Sequence, residues 1–244
     1  MLRKLKRMLA DYQAVVRGSF SHKSYSQDGE DMILRRLFAT QDSGFYVDVG
    51  AHHPMRFSNT YLFYRQGWRG INIEPNPEAI RAFRVFRPRD INLQMGVNES
   101  AGALTYFCFD DPALNTFDAQ LADARQATSR YRVEKTMVIA VERLDAILSR
   151  HLPAGSRIDF MSIDVEGFDL PVLRSNDWTR FRPRCVLAEV LGLSLDEAMD
   201  CEVVRFMRKQ NYELFAKSFN TLIFRDRDWG PRISGQHPAQ GAVR

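Results

Sequence analysis

Apolar and polar positions along this chain follow two rhythms. Runs that alternate, or stay apolar for about four to eight positions, read as strands at 45–49, 70–74, 90–97, 103–109, 135–141, 159–164, 185–190, 212–219 and 221–226. Between most of them apolar residues recur every third or fourth position, which predicts helices over 58–66, 77–86, 118–129, 143–151, 169–175 and 196–210. Ser26-Gln-Asp-Gly-Glu-Asp-Met-Ile-Leu34 reads as a capped entry into one more short helix. Strands alternating with helices argue for an α/β fold: a Rossmann-like, doubly wound, mostly parallel sheet with helices on both faces. The last two strands differ, because only Asn220 separates Tyr212–Phe219 from Thr221–Arg225 and the gap admits nothing but a tight antiparallel hairpin. The expectation is a seven-stranded sheet closed by a C-terminal antiparallel hairpin.

Residues 2–16 carry a separate pattern. On a helical wheel Leu2, Leu5, Met8, Leu9, Tyr12, Val15 and Val16 share one side, opposite Arg3, Lys4, Lys6 and Arg7. Such a basic amphipathic helix suits either peripheral contact with an anionic membrane or packing on the domain or a second copy in a homo-oligomer. Gly18-Ser-Phe-Ser-His22 reads as a linker. The expected organisation is therefore an N-terminal helix and linker (1–23), one catalytic domain (24–228) and a mobile C-terminal tail (229–244), the length of 244 residues being enough for one sizeable core.

Charge and cysteine usage narrow the classes. The net charge of +4 gathers at the two ends and leaves the middle of the chain acidic, which argues against a nucleic-acid partner. Cys108, Cys185 and Cys201 are odd in number and have no C-x-x-C spacing, so neither a disulfide framework nor a zinc site is expected, and a reducing compartment fits. No apolar stretch reaches the length of a membrane span, and no secretory signal is evident. The expected location is cytoplasmic, at the inner face of the membrane if the first helix binds lipid.

The chemistry concentrates at strand ends. Phe45-Tyr-Val-Asp-Val-Gly-Ala-His-His-Pro54 and Gly70-Ile-Asn-Ile-Glu-Pro75 read as two strands that each end in a carboxylate, Asp48 and Glu74, one strand–helix–strand unit apart. In a doubly wound sheet both face one crevice, and an acid ending the second strand accepts hydrogen bonds from ribose hydroxyls. The loop lacks the G-x-G-x-x-G that a pyrophosphate needs and places His52 and His53 where small residues would stand. NAD and FAD are thereby disfavoured. S-adenosylmethionine (SAM), which has a ribose and no phosphate, fits a single glycine turn at Gly50. A third segment, Ile158-Asp-Phe-Met-Ser-Ile-Asp-Val-Glu-Gly-Phe-Asp169, sets Asp164, Glu166 and Asp169 after a strand, and unpaired carboxylates cannot all be buried there. With Glu189 at the next strand end, Asp164 and Glu166 would suit a hard cation such as Mg²⁺, or one of them a proton-accepting role. Asp169 reads as a helix cap.

Taken in order, Ser26-Gln27-Asp28, Val47-Asp-Val-Gly-Ala51, Ile73-Glu-Pro-Asn76, Gly96-Val97, Val141-Glu-Arg-Leu-Asp145 and Ser162-Ile-Asp-Val-Glu-Gly167 resemble the FkbM family of SAM-dependent methyltransferases over about residues 24–226. The departure is His52-His53, where many members carry a pair such as Asn-Ile. The resemblance implies a class I methyltransferase fold, SAM as cofactor, and O-methylation of sugars, glycans or polyhydroxylated natural products, as in polysaccharide biosynthesis. It places Asp48, Gly50, Ala51 and His52 by the methionine moiety, Glu74 and Pro75 by the ribose, and Asn76, Gly96 and Val97 by the adenine. Ser58, Asn59 and Thr60, opening a helix, would offer donors to the methionine carboxylate. Asp164, which would also touch the cofactor, and Glu166 fall beside the acceptor, with His53 a further candidate base. Residues 110–134 read as an insertion over the site, with Asn115 and Thr116 as contacts. The competing readings are a nucleotide-sugar oxidoreductase or epimerase, for which the phosphate loop and a Tyr-x-x-x-Lys pair are missing, and a non-catalytic SAM-binding scaffold.

Overall fold

The alternating strands pair into two sheets. The computed structural model describes residues 2–16, 18 and 21–230. In chain order the elements are α1 (Leu2–Val16), α2 (Glu30–Leu37), β1 (Phe45–Val49), α3 (Tyr61–Arg65), β2 (Arg69–Ile73), α4 (Pro77–Phe86), β3 (Ile91–Leu93), β4 (Gly96–Val97), β5 (Gly102–Phe109), a 3₁₀ turn (Pro112–Leu114), α5 (Ala119–Thr128), β6 (Val133–Glu142), α6 (Leu144–His151), β7 (Phe160–Ile163), α7 (Asp169–Arg174), β8 (Cys185–Glu189), α8 (Leu195–Ala198), α9 (Glu202–Lys209), β9 (Tyr212–Ser218) and β10 (Thr221–Asp226). The main sheet has seven strands in the order β3-β2-β1-β7-β8-β10-β9. Neighbours run parallel from β3 to β8, whereas β10 is antiparallel to both β8 and β9. This is the expected Rossmann-like sheet with its closing hairpin.

Side chains on alternate faces make the sheet doubly wound. Val47, Val49, Met161, Ile163, Val186, Ala188, Leu222 and Phe224 point to one face, where they pack with Leu144 and Leu148 of α6, Val172 of α7 and Val204 and Met207 of α9. Tyr46, Phe160, Cys185, Leu187 and Ile223 point to the other and meet Leu34 and Leu37 of α2, Phe63 of α3 and Trp68. Asp48 and Ser162 belong to the second face by the same alternation. The residues just before α3 can therefore reach them.

Three of the predicted strand and helix runs are divided or shortened in the structure. The run 90–97 is two strands: β3 stays in the main sheet, whereas β4 leaves it to pair with β6 in a separate three-stranded sheet, β4-β6-β5. Gly96 permits the departure, since a Cβ there would lie 2.7 Å from the Phe117 ring and 2.8 Å from Val141. The helix expected over 196–210 is two helices. A capping box of Ser194 and Glu197 starts α8, and extended backbone at Cys201 (φ −69°, ψ 164°) separates it from α9. The helix expected over 58–66 begins only at Tyr61, because Ser58 uses its hydroxyl to accept the Tyr61 N–H.

At the ends, α1 forms over the predicted residues, and no helix among the described residues is long and apolar enough to cross a membrane. Of the expected tail, Trp229 stacks on Phe38 with ring centroids 5.1 Å apart, and residues 231–244 lie outside the described residues.

Candidate active site

The crevice begins where β1 ends. Gly50 has φ +77°, and a Cβ there would come within 1.8 Å of the Asp164 carbonyl oxygen, so the β1 turn and the end of β7 approach as only glycine allows. Past this turn the His52 N–H donates to Glu74 Oε2 (2.9 Å), and the Asn76 N–H donates to Glu74 Oε1 (2.8 Å). Each oxygen of Glu74 keeps acceptor capacity for a further donor. Burial raises the Glu74 carboxyl to about 7 against the opposing pull of the two backbone donors. Asn76 itself caps α4 through the Glu78 N–H, with Pro77 in the first helical position.

Beneath the crevice lies a buried charged network. Arg87, fully buried, donates from Nε to Asp90 (2.8 Å), from Nη2 to the Tyr46 hydroxyl (2.7 Å) and from Nη1 to Thr60 Oγ1 (2.9 Å). Thr60 Oγ1 in turn donates to Asp48 Oδ2 at 2.6 Å. Asp90 also accepts from the Tyr46 hydroxyl, the Gly70 N–H and Asn72. Asp48 is thus fixed from below by a hydroxyl that a guanidinium holds in place. Burial raises its carboxyl, and Arg87 opposes the rise.

The opposite wall comes from the small sheet and the segment after it. Tyr106 of β5, Pro112 to Asn115 and Phe117 line the cleft together with Pro75, His52 and Phe57. Tyr106 and Phe117 pack with ring centroids 4.8 Å apart. Asn115 is held by the Phe109 N–H, which donates to its Oδ1 at 2.8 Å. The cavity measures about 300 Å³, within the range of small-ligand sites.

Its floor is acidic. One oxygen each from Asp164, Glu166 and Glu189 falls within 4.8 Å of the others. Asp164 is walled by protein yet open to water through the cleft. All three carboxyls are pushed above the ordinary range, by burial first, then at Asp164 and Glu189 by mutual repulsion, most strongly at Glu189. Arg125 of α5 pairs with Glu166, opposing the rise there, and donates from Nη1 to the Leu114 carbonyl at 2.8 Å. Thr116 Oγ1 donates to the Glu166 carbonyl at 2.8 Å. Glu189 Oε2 is buried with no hydrogen-bond partner among the described residues. Asp169 is not the helix cap expected of it: Phe168 holds that position with no side-chain cap bond, and Asp169, the first residue of α7, accepts the Glu189 N–H at 3.1 Å.

Of the residues singled out from sequence, Asp48, Gly50, Ala51, His52, Ser58, Asn59, Glu74, Pro75, Asp164, Glu166 and Glu189 line this one cleft. Asn59 Nδ2 donates to Ser162 Oγ (3.0 Å), tying the pre-α3 segment to β7. Thr60 and Asn76 act through Asp48 and Glu74. Gly96 and Val97 do not reach the cleft: Gly96 makes room for Phe117, which does. His53 stands apart from the cleft lining: its Nδ1 accepts the Met55 and Arg56 N–H groups (3.0 and 2.9 Å), and burial lowers its proton affinity. His52 does line the cleft and is lowered to about 4, also chiefly by burial. Sequence reasoning passed over Tyr106, Phe117, Arg87 and Arg125. The first two are ordinary aromatics of a strand and a loop, and an arginine at a helix end or in a polar helix reads as solvated.

The Methyltransferase FkbM domain model matches residues 48–214. No curated protein matches the chain. Among solved structures, that of the proposed RNA methyltransferase PH1948 from Pyrococcus horikoshii is similar at 11% identity and a TM-score of 0.42, covering 82% of this chain and 83% of that one. That likeness bears on neither substrate nor mechanism.

Proposed function

This chain belongs to the FkbM methyltransferase family, and on that premise we propose that it is a SAM-dependent O-methyltransferase acting on a hydroxyl of a sugar, glycan or polyhydroxylated natural product. The observation that carries the reading is that Glu74 and the Gly50 turn open onto the same cleft as Asp164, Glu166 and Glu189. The residues fit the cofactor. Glu74 has spare acceptor capacity for a ribose diol, and the turn offers no phosphate cradle. Tyr106, Pro75, Leu114 and Phe117 supply apolar surface for a base, while Asp48, Ser58 and Asn59 offer polar groups to an amino-acid end. The polar, carboxylate-rich floor favours a hydroxylated acceptor over an apolar one.

When bound, SAM supplies a methyl group activated on sulfur for in-line transfer. Asp164, open to the cleft and with raised proton affinity, takes the proton that the acceptor hydroxyl loses. Mutual repulsion keeps the three carboxyls from ionising together, and a proton held at Glu189, whose Oε2 is buried without a hydrogen-bond partner among the described residues, lets Asp164 carry the negative charge. Arg125 restrains Glu166 beside them. A second reading rests on the same three oxygens within 4.8 Å, which would also suit a divalent cation such as Mg²⁺ binding the acceptor alkoxide. The three unpaired cysteines, two of them buried, favour a cytoplasmic enzyme.

Calorimetry with SAM, S-adenosylhomocysteine and NAD, followed by methyl transfer to a panel of sugars and polyols, tests the proposal. Binding of the first two without NAD is expected. Asp164→Asn should lower turnover by about 10²–10⁴ while leaving SAM affinity near wild type. Chelation by EDTA abolishes wild-type activity only on the cation reading. Absence of SAM binding overturns the proposal, and binding without transfer to any acceptor favours a non-catalytic scaffold.

A further inference from the structure

We propose that α1 is an interfacial anchor that lays its apolar face into an anionic lipid bilayer, an inference beyond the methyl-transfer reading and independent of it. Among the described side chains of α1, Met8, Leu9, Tyr12, Val15 and Val16 are 62, 52, 67, 62 and 67% exposed. A lone exposed leucine needs no explanation, but a contiguous apolar stripe on one helix does. At 100° per residue the apolar positions fill an unbroken arc of about 140°, a single face and not a scatter.

Charge selects the occupant. Lys4 stands at one border of the apolar arc and Lys6 at the other, where long side chains can lie along hydrocarbon and keep their ammonium groups among headgroups. Arg3 and Arg7 lie on the polar face, and Asp11 is the single acid of the helix. Four cations against one anion attract a surface of phosphate groups and repel a second α1 laid alongside. Two heptads are also fewer than the three to four that a coiled coil usually needs. At about 1.5 Å per residue the 15-residue helix is too short to span a bilayer, so it lies in the plane of the interface.

Sedimentation of the full chain with phosphatidylcholine vesicles, with and without one-third phosphatidylglycerol, tests this at low and high salt. Binding is expected to the phosphatidylglycerol vesicles and to weaken with salt. Reversing charge in Lys4→Glu/Lys6→Glu/Arg7→Glu should lower the partition coefficient by about 100-fold or more, since each basic side chain near such a surface contributes about fivefold. Leu9→Asp/Val16→Asp should abolish binding. All five positions are exposed, so melting temperature and SAM affinity should stay at wild-type values. The proposal fails if the vesicles are not bound, if phosphatidylcholine alone binds equally, or if Leu9→Asp/Val16→Asp still binds. It also fails if light scattering finds a dimer that the same substitution dissociates while lipid binding is absent.

Discussion

Glu74 shows how much one side chain can carry. Its two oxygens take one backbone N–H each, which orients the carboxylate, and its burial brings the proton affinity to about 7. Glu74→Ala should weaken SAM binding by about 1.5–3 kcal/mol, the scale of hydrogen bonds to a charged group, as read by calorimetry. Ribose hydroxyls and a sulfonium cation both favour the ionised form. SAM affinity should therefore rise between about pH 6 and pH 8 in the wild type, and the rise should be shallower in Glu74→Gln, where only the other cleft carboxyls such as Asp164 still titrate. Asp48 and Glu74 were legible as a pair because strand ends converge in this class of sheet. His53 was not legible, because only the folded turn puts two backbone N–H groups on its Nδ1.

At the scale of elements, the site depends on how loops are tied to strands. The pre-α3 segment is joined to β1 through Thr60 and Asp48, and the guanidinium of Arg87 closes that network from below. Arg87→Met leaves Asp90 buried without its cation and should cost about 3–5 kcal/mol in chemical denaturation, well beyond a surface substitution. Across the cleft, α5 is tied to the turn after β7 by Arg125 and Glu166. Arg125→Ala should raise amide hydrogen exchange over residues 112–128 and weaken SAM binding by up to about tenfold, because Leu114, Asn115 and Phe117 lose their support. Exchange confined to wild-type values would show that α5 is held by packing alone. The sequence reading placed an insertion over the site at 110–134. It did not reveal that β4, β5 and β6 form a sheet of their own, because a short polar-edged strand has the same local pattern in either sheet.

For the molecule as a whole, several carboxyls at the cleft bind protons more tightly when folded than in the unfolded chain, Glu74, Asp164 and Glu189 among them. A raised folded value gives stability that is complete below the unfolded value of about 4.5 and is lost as pH rises through the folded one. The ligand-free protein should therefore melt at lower temperature at pH 8 than at pH 5, and Glu189→Gln should reduce that difference; equal melting temperatures across this range in the wild type would contradict it. Sequence alone determined the α/β class, the hairpin, the Gly50 turn and most of the cleft-lining residues. These follow from periodicities of two and about 3.6 and from a topology that gathers the C-terminal ends of parallel strands. Tertiary structure alone decided that Phe117 occupies the space Gly96 leaves, that Arg87 is buried and paired, and that Arg125 reaches Glu166. Each of these joins residues distant in the chain or buries a charge, and whether a charged side chain is solvated or enclosed depends on neighbours that no local pattern encodes.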